Sequence, residues 1–480
     1  MREYQLYIGG RWHPAGSGRV AEDINPADGR AWALVHMAGE KELEAALAGA
    51  YAAGETWAAV LPERREAILL KAAEVMLSRA DELTEVLVTE SGSAYAKAKG
   101  EVLGSAGIFR VAAGECRRHN TEILPPALEG QVSMTLRRPL GLILGITPFN
   151  YPLILAVKKL AYALAAGNTF LLKPSPHTPV ISLLTAEILK EAGLPDHVLN
   201  VTPVETAEAS GRLVNDPRVA MVSFTGSSRV GRRIAMDCAG NLKRYNMELG
   251  GKNPLILLED YDLRQAAEII GYGAFCHQGQ VCMATSRVIA VGESYQAIQP
   301  LLVRRARSLK VGDPKDREVV IGPLIDQAHC AFIDGQIRDA VSKGATLLTG
   351  GRHQGPYYEP TVLAGVTPDM EIFYQETFGP VTSLIRAESP GEALALCNDN
   401  FYGLSAALLT NDLALAWELG QKIEAGMVHI NDTTFLSATT APSGGVKLSG
   451  AGREGGRYSM DEYTEIKWLT MQTCPRKMPF

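Results

Sequence analysis

A cysteine in a glycine-containing loop has the chemistry of a nucleophile. Cys282 follows a Gly-Gln pair and comes shortly after the helical pattern at Arg264–Phe275. A thiolate nucleophile needs access and positive or dipolar surroundings, which such a loop can provide. A buried, inert thiol is the alternative that this segment alone leaves open. The neighbouring Cys276 and His277 lack a further ligand at the spacing of a zinc site, so no metal is predicted.

Two polar side chains at predicted strand ends complement such a nucleophile. Asn150 lies between Pro148 and Pro152, so its amide sits in a rigid frame, as an oxyanion donor must. Glu248 ends a strand pattern before two glycines, where a partly desolvated carboxylate can act as a general base. Taken singly, each also fits an ordinary turn residue. Together with Cys282 they supply a nucleophile, an oxyanion donor and a base.

The segment around Gly226 and Ser227 has the features of a phosphate loop. It follows the apolar run Met221–Phe224 and opens a helical pattern, whose N-terminal N–H groups favour an anion. It is not a Walker A loop, because Arg232 and Arg233 stand where Lys-Ser/Thr is required. Alone, the segment fits a plain strand–helix turn equally well.

Two further segments are ambiguous. Lys173 ends another predicted strand, where a lysine can bond a ribose or simply be solvated. Residues 450–455 match G-x-G-x-x-G literally, but a dinucleotide fingerprint must lie in a βαβ unit with an acid about 20 residues later. We therefore expect an ordinary glycine-rich loop there.

The elements that position these residues alternate as in α/β proteins. Short apolar runs alternate with helical patterns from Gly141 to Glu248, and a second such series follows Gly250. This alternation predicts parallel sheets covered on both faces, with ligands at the carboxyl ends of the strands. Residues 40–120 have helical spacing, 121–139 predict a ribbon or hairpin, and the tail 462–472 is predicted to pair with that ribbon or with another subunit.

The composition excludes several classes of protein. The 480 residues carry 47 Lys and Arg against 53 Asp and Glu, a formal net charge of −6, which argues against nucleic acid or an anionic membrane as a partner. No apolar run reaches about 18 residues, and no signal peptide is evident. Seven cysteines at irregular spacing predict no disulfide framework, and hence a reduced, cytoplasmic protein of two or three domains.

Taken together, these blocks resemble the NAD(P)-dependent aldehyde dehydrogenase superfamily across essentially the whole chain. The matching segments, in family order, are Pro148–Pro152, Lys173–Ser175, Phe224–Ser227, Glu248–Gly251, Gly279–Cys282, Gln375–Pro380, Tyr402–Leu404, Gly444–Lys447 and Ser449–Gly450. The resemblance implies an α/β fold with three parts. These are a Rossmann-like cofactor domain (1–120 and 140–249), a catalytic α/β domain (250–449) and a small β oligomerisation element (121–139 and 460–480). A homodimer or homotetramer is then expected.

The resemblance also implies roles for individual residues. Cys282 would be the nucleophile, Asn150 the oxyanion donor, Glu248 the base for the hydrolytic water, and Glu454 part of a proton relay. The implied contacts to NAD or NADP are Thr147, Phe149, Lys173, Ser175, Pro176, Gly226, Ser227, Glu376 and Phe378. The implied substrate pocket contains Tyr151, Cys276, Met283 and Ser443.

The implied reaction is oxidation of a small-molecule aldehyde to a carboxylic acid. The thiol adds to the aldehyde to give a thiohemiacetal, hydride transfer to the nicotinamide leaves a thioester, and activated water releases the acid. Pro176 stands where some NAD-preferring members carry a carboxylate, so use of both cofactors is expected. Ser443 stands where many members carry an aromatic side chain, which makes substrate analogies less direct.

The expected substrate is an aromatic aldehyde. The run Gly426–Asp432, the length of the loop to Pro442 and the ending 475–480 resemble bacterial benzaldehyde and vanillin dehydrogenases. Tyr151 and Phe435 could contact a ring. A short aliphatic or hydroxy-aldehyde remains the alternative substrate. Three alternative functions remain: a CoA-acylating enzyme, a cofactor-free cysteine hydrolase and a non-catalytic relative. The base Glu248 argues against the first, the phosphate loop argues against the second, and the intact nucleophile argues against the third.

Overall fold

A β-rich N-terminal segment precedes four helices in the computed structural model, which describes residues 1–118, 121–478 and 480. The predicted limits at residue 120 and in the ending 475–480 therefore touch residues outside the described part (119, 120 and 479). The elements of this first region are β1 (Arg2–Tyr4), β2 (Leu6–Ile8), β3 (Arg11–His13), β4 (Val20–Asn25), β5 (Arg30–His36), α1 (Glu40–Ala58), α2 (Pro62–Ser78), α3 (Ala80–Ser91) and α4 (Tyr95–Glu115).

Strands and helices alternate in the middle of the chain, as the sequence predicts. The elements are β6 (Ile123–Leu124), β7 (Gln131–Pro139), β8 (Leu142–Ile146), α5 (Pro152–Ala165), β9 (Thr169–Lys173), α6 (Val180–Glu191), β10 (Leu199–Val201), α7 (Ala207–Asn215), β11 (Val219–Thr225), α8 (Ser228–Gly240) and β12 (Arg244–Glu248). Helix α5 begins at Pro152. The fixed φ of proline suits the first helical turn, and its lack of an N–H costs no hydrogen bond there, because the first N–H groups of a helix have no intrahelical acceptor.

A second alternating series follows. Its elements are β13 (Asn253–Leu257), α9 (Leu263–Phe275), a 3-10 turn (Cys276–Gly279), β14 (Thr285–Val291), α10 (Ser294–Ser308), α11 (Ala328–Ser342), β15 (Thr346–Thr349), β16 (His353–Gln354), β17 (Tyr357–Tyr358), β18 (Thr361–Ala364), α12 (Glu371–Tyr374), β19 (Val381–Ala387), α13 (Pro390–Asn398), β20 (Tyr402–Gly403), β21 (Ser405–Leu409), α14 (Leu413–Lys422), β22 (Met427–Ile430), β23 (Val446–Lys447), β24 (Gly450–Ala451), α15 (Gly456–Glu462) and β25 (Thr464–Gln472).

The middle series forms a sheet in the order β24-β12-β11-β8-β9-β10-β2-β3. Strands β12, β11, β8, β9 and β10 run parallel. Every residue of β8 and β9 is buried, because helices cover both faces of a parallel sheet. The common edge at their carboxyl ends holds Thr147, Lys173, Thr225 and Glu248.

The second series forms a seven-stranded sheet in the order β15-β18-β19-β14-β13-β21-β22. Its strands are parallel except for β15, which pairs antiparallel with β18. Strands β13 and β14 are fully buried. Except for β24, the two sheets divide the chain near the predicted boundary at residue 249; the domain limits themselves stay predictions.

A separate ribbon has the order β25-β7-β6. Strand β25 pairs antiparallel with β7 over nine residues, from Thr464 opposite Pro139 to Gln472 opposite Gln131. The C-terminal strand thus pairs with the ribbon of its own chain, one of the two predicted partners. All its residues after Thr464 are exposed.

Two other features bear on the sequence predictions. Strand β24, at the start of the G-x-G-x-x-G match, pairs antiparallel with β12, so this segment is not the first turn of a βαβ unit. The N-terminal strands β1–β5 were not predicted. None of the helices in the described part of the chain combines the length and hydropathy that a membrane crossing requires.

Candidate functional site

Cys282 lies in a loop of unusual backbone geometry between the 3-10 turn and β14. The residues His277, Gln278 and Gly279 have φ of 49°, 55° and 68°, a region that non-glycine residues rarely occupy. The side-chain amide of Gln278 donates to the carbonyl of Pro323 at 2.8 Å. At Gly279 a Cβ would meet the carbonyl oxygen of Gly379 at 2.0 Å. The loop is therefore packed into one conformation that only glycine permits at position 279.

The backbone and the charge state of Cys282 are both set by its neighbours. The Nδ2 of Asn253 donates to the carbonyl oxygens of Cys282 at 2.8 Å and Ala284 at 2.9 Å. Burial, and then the nearby carboxylates of Glu248 and Glu376, raise the pKa of Cys282 to about 12. The thiol is therefore protonated at neutral pH.

Asn150 follows β8 and is buried. Its Nδ2 donates to the carbonyl oxygen of Gln280 at 2.8 Å, two residues before Cys282. The backbone carbonyl oxygen of Asn150 accepts a hydrogen bond from Nζ of Lys97 at 2.7 Å. The structure thus brings two predicted site residues to the same loop and leaves Asn150 a second amide N–H to donate.

Glu248 ends β12, and its buried Oε1 has no hydrogen-bond partner in the part of the chain that the structure describes. Burial, and then the charge of Glu454, raise the pKa of Glu248 to about 8. Glu454 is itself buried, and its Oε1 lies 2.6 Å from Nζ of Lys159. Burial alone would raise its pKa, but Lys159 and then Lys158 outweigh that effect and keep the pKa below its usual value. A fixed anion therefore stands near a carboxyl group that titrates near neutral pH.

The edge of the first sheet has unsatisfied polar groups suited to a nucleotide. The buried hydroxyls of Thr147, Thr202 and Thr225 have no hydrogen-bond partner among the described residues. Among residues 1–118, 121–478 and 480, the Nζ of Lys173 donates only to the carbonyl of Pro174, at 3.3 Å, and burial lowers the pKa of Lys173 to about 8. Since buried polar groups are normally satisfied, these donors and acceptors fit the hydroxyl and phosphate groups of NAD or NADP.

Glu376 approaches the same edge from the second sheet. Its Oε1 accepts from the backbone N–H of Gly251 at 3.1 Å, and a Cβ at Gly250 would meet its Oε2 at 2.3 Å. Burial raises the pKa of Glu376 to about 7. No direct bond joins Glu376 to Lys173 in the described structure, so their action as a ribose pair remains a prediction.

The remaining predicted cofactor residues lie around this edge. The rings of Phe149 and Phe378 meet edge to face with centroids 5.8 Å apart. Ser227 caps α8, its Oγ accepting from the N–H of Val230 at 3.4 Å, and Gly226 precedes it. In the loop after β9, Ser175 is buried and accepts from the N–H of His177 at 3.2 Å, whereas Pro176 is exposed.

An aromatic group of Tyr151, Tyr272 and Phe435 lies next to Cys276, six residues before Cys282. The Oη of Tyr151 lies 3.9 Å from Sγ of Cys276. The ring of Phe435 has its centroid 5.9 Å from that of Tyr151 and 5.9 Å from that of Tyr272, on which it stacks. The three aromatic rings and the Cys276 thiol therefore form one continuous group, in which the rings are apolar and the tyrosine hydroxyls and the thiol are polar.

The other two predicted pocket residues lie on neighbouring segments. Met283 is half-buried, and its carbonyl accepts from Oγ1 of Thr434 at 2.8 Å. Ser443 is buried, and its backbone pairs with Glu454 through two hydrogen bonds of 2.8 Å. Their contact with substrate stays a prediction. No group of three or more metal-binding side chains occurs among the residues that the structure describes.

Several residues of this region were not predicted. They are Lys97, Glu101, Lys158, Lys159, Thr202, Thr225, Asn253 and Tyr272. The two lysines of α5 interrupt an apolar helix, which is a usable signal. Lys97 and Glu101 have the i,i+4 spacing of an ordinary surface ion pair, so their sequence pattern does not reveal that they are buried.

Comparison with known proteins agrees with this arrangement. Residues 12–469 match the model of the aldehyde dehydrogenase family. A vanillin dehydrogenase of Pseudomonas fluorescens is 40% identical over 482 residues, covering 100% of both chains. A benzaldehyde dehydrogenase [NAD(+)] of Pseudomonas putida is 38% identical over 99% of this chain and 98% of its own.

The fold is matched equally well. The crystal structure of a salicylaldehyde dehydrogenase from Pseudomonas putida G7 complexed with salicylaldehyde superposes with a TM-score of 0.98 at 36% identity, over 100% of both chains. That similarity confirms the predicted α/β fold. Enzymes of the aldehyde dehydrogenase family use NAD or NADP. With the family model spanning nearly the whole chain and relatives of this identity aligned end to end, the chain belongs to the aldehyde dehydrogenase family.

Proposed function

We propose that this chain oxidises aromatic aldehydes to carboxylic acids with NAD or NADP, through a thioester on Cys282. The observation that carries the proposal is the amide of Asn150, bonded to the carbonyl of Gln280 at 2.8 Å beside the loop of the thiol. A donor fixed before charge develops is what addition to a carbonyl requires. The vanillin, benzaldehyde and salicylaldehyde dehydrogenases to which the chain is similar support the same reaction.

Addition to the aldehyde begins the reaction. The Sγ of Cys282 bonds to the carbonyl carbon, and the thiol proton passes to solvent water as the bond forms. The carbonyl oxygen becomes negative and accepts from the free amide N–H of Asn150 and the backbone N–H of Cys282. Asn253, bonded to the Cys282 carbonyl, holds the nucleophile while this charge develops.

The cofactor edge positions the redox step. When bound, the nicotinamide supplies the acceptor for the hydride that leaves the carbon. Lys173 and Glu376 would hold the ribose, Gly226 and Ser227 at the start of α8 would face the phosphates, and Phe149 and Phe378 would flank the ring. The unsatisfied hydroxyls along this edge support that placement.

Glu248 then acts as the base for hydrolysis. Its ionised carboxylate takes a proton from water, and the water oxygen bonds to the thioester carbon. The C–S bond then breaks, which releases the carboxylic acid and the Cys282 thiolate. Glu454 is held as an anion by Lys159, and its charge favours the proton on Glu248. A relay that passes this proton on through Glu454 remains a prediction.

The aromatic group supports a ring-bearing substrate. Tyr151, Tyr272 and Phe435 offer faces and edges against which a benzene ring gains about 0.5–1.5 kcal/mol per aromatic pair beyond its area burial. The two tyrosine hydroxyls add polar contacts that a hydroxylated ring would use. A short aliphatic aldehyde would leave these faces uncovered.

The test compares benzaldehyde, vanillin, hexanal and glycolaldehyde, each with NAD and NADP, by kcat/KM. We expect the two ring substrates to be preferred. The aromatic assignment fails if both trail hexanal by more than about tenfold, roughly 1.4 kcal/mol of transition-state binding. Formation of free acid without added CoA distinguishes hydrolysis from acyl transfer to CoA.

We also propose that the chain forms a homodimer or homotetramer through β25. The strand is at the edge of its sheet and exposes Ile466 at 61% and Trp468 at 66%, an unprotected edge that another chain can extend. Ile466→Lys should lower the mass measured by light scattering, whereas Leu413→Lys, at a similarly exposed apolar site, should not. A monomeric wild-type protein would contradict this proposal.

A reducing compartment, the cytoplasm, is proposed as the location. All seven cysteines are free thiols, and a nucleophilic thiol must stay reduced to act. Fractionation of the producing cell, followed by activity assays, tests this placement.

A further inference from the structure

A buried ion pair on α4 is unexplained by the mechanism above. Nζ of Lys97 lies 2.7 Å from Oε2 of Glu101, and their side chains are only 6% and 0% exposed. Burying two charges costs desolvation free energy that their attraction often fails to recover, so such a pair is weak evidence for stability. The role of the pair is therefore sought in the hydrogen bonds that Lys97 and Glu101 make to the rest of the chain.

Every donor of the Lys97 ammonium is occupied by the protein. Besides Glu101, Nζ donates to Oγ of Ser93 at 2.9 Å and to the carbonyl oxygen of Asn150 at 2.7 Å. An ammonium group has three N–H donors, so none remains for a substrate. The same ammonium lies 3.9 Å above the centre of the Tyr151 ring, in cation–π contact.

Glu101 holds the chain on the other side of Tyr151. Its Oε1 accepts from the backbone N–H groups of Leu153 at 2.9 Å and Ile154 at 3.1 Å. These N–H groups lie in the first turn of α5, where no intrahelical acceptor exists and a negative charge is favoured. The ion pair thus forms hydrogen bonds with the backbone at residue 150 and again at residues 153 and 154.

We propose that Lys97 and Glu101 are positioning residues for the oxyanion donor. Together they fix the backbone of Asn150 relative to α5, while the carbonyl of Gln280 fixes its side-chain amide. The inference rests on the role proposed above for Asn150. Neither residue touches the substrate; the pair acts by holding the donor where the negative oxygen forms.

The test measures two reactions of Cys282 in two variants. Lys97→Met removes the hydrogen bond from Nζ to the backbone carbonyl of Asn150. The double variant Lys97→Met with Glu101→Gln removes the same bond but leaves no unpaired buried carboxylate. We expect the first-turnover burst of reduced cofactor with benzaldehyde to slow by about 10- to 100-fold, the scale of a small misplacement of a catalytic group. Alkylation of Cys282 by iodoacetamide, which forms no oxyanion, should keep its rate.

A double-mutant cycle separates positioning from general damage. In an Asn150→Ala background, removing Lys97 should slow the burst by less than about twofold, because residues that act through one another are not additive. Lys99→Met is the matched control, since Lys99 is on the same helix but 44% exposed, with Nζ 3.5 Å from Asp81. It should keep the wild-type burst.

Three outcomes would overturn the inference. These are an unchanged burst in both Lys97 variants, losses that add fully to that of Asn150→Ala, and equal slowing of the burst and of alkylation. A wild-type protein that reduces no cofactor with any aldehyde overturns the proposed function, and the inference with it. An active wild type with unaffected variants overturns the inference alone.

Discussion

The Nδ2 of Asn150 and the carbonyl oxygen of Gln280 are joined by a hydrogen bond of 2.8 Å. This bond ties the loop after β8 in the first sheet to the Cys282 loop, which precedes β14 of the second sheet. The predicted donor and the predicted nucleophile come from segments 132 positions apart in the numbering (282 − 150). Their alignment therefore depends on how the loop packs, and changes in that loop should affect the chemical step.

Cofactor choice should change when a charge is placed at position 176. Pro176 is exposed in the loop after β9. Pro176→Glu should lower kcat/KM for NADP by about tenfold more than for NAD, because a carboxylate repels a 2′-phosphate. Pro176→Gln, of similar size and uncharged, is the control and should show no such difference. Equal losses with both cofactors in the Glu variant would mean that this position does not read the phosphate.

Hydrolysis of the thioester should depend on pH through Glu248. The pKa of this group is raised to about 8, so the carboxyl is mostly protonated at pH 7 and mostly ionised at pH 9. Since only the ionised form accepts a proton from water, the deacylation rate should rise about tenfold between these pH values and then level off. Quenched-flow measurement of thioester decay gives this rate. A decay rate independent of pH over that range would exclude Glu248 as the base.

Stability should fall as pH rises from about 4 to about 7 because the buried carboxyl group of Asp23 has a raised pKa. Asp23 is 2% exposed and Glu90 is fully buried; burial, partly offset by the neighbouring side chains of Glu90 and Trp32, raises the pKa of Asp23 to about 7. A raised folded-state pKa stabilises the protein at low pH. That contribution is lost as pH rises from about 4, the unfolded value, through about 7.

A substitution isolates this effect. Asp23→Asn cannot ionise, so it should stabilise the protein at pH 8.5 by about 2 kcal/mol relative to wild type, with a smaller gain at pH 5.5. Thermal unfolding at fixed protein concentration measures the difference. Glu22→Gln, at the exposed neighbouring position, should show neither gain. A benefit that is the same at both pH values would show that the Asp23 carboxyl does not titrate in this range.

The alternation of apolar runs was enough to predict the parallel sheets. Runs such as Leu142–Ile146 and Thr169–Lys173 are fully buried strands, and both ends of such a run are visible as changes in polarity. The N-terminal strands were missed because they are short, and strands such as Arg11–His13 lack a clear apolar pattern. The pairing of β25 with β7 was only one of two predicted options, because alternation specifies a strand but not its partner.

The candidate site was predictable where a residue type names its chemistry. Cys282, Glu248 and Asn150 stand out by type and by their place at element ends. Lys97 does not, because its spacing to Glu101 is common on solvated helix faces; only the fold shows that both are buried. The raised pKa of Glu248 is likewise hidden in the sequence, because it arises from burial and from Glu454, which is 206 positions away in the numbering (454 − 248).

The most direct test of the account is to trap the thioester. Glu248→Gln, mixed with NAD and benzaldehyde, should give one burst of reduced cofactor equal to the enzyme sites and then stall. Mass spectrometry of the denatured protein should find one acyl group on the peptide that contains Cys282. Cys282→Ala should give neither burst nor adduct, and Cys474→Ala, which removes an exposed thiol, should turn over like wild type. Steady turnover by Cys282→Ala, or an acyl group on another residue, would contradict the account.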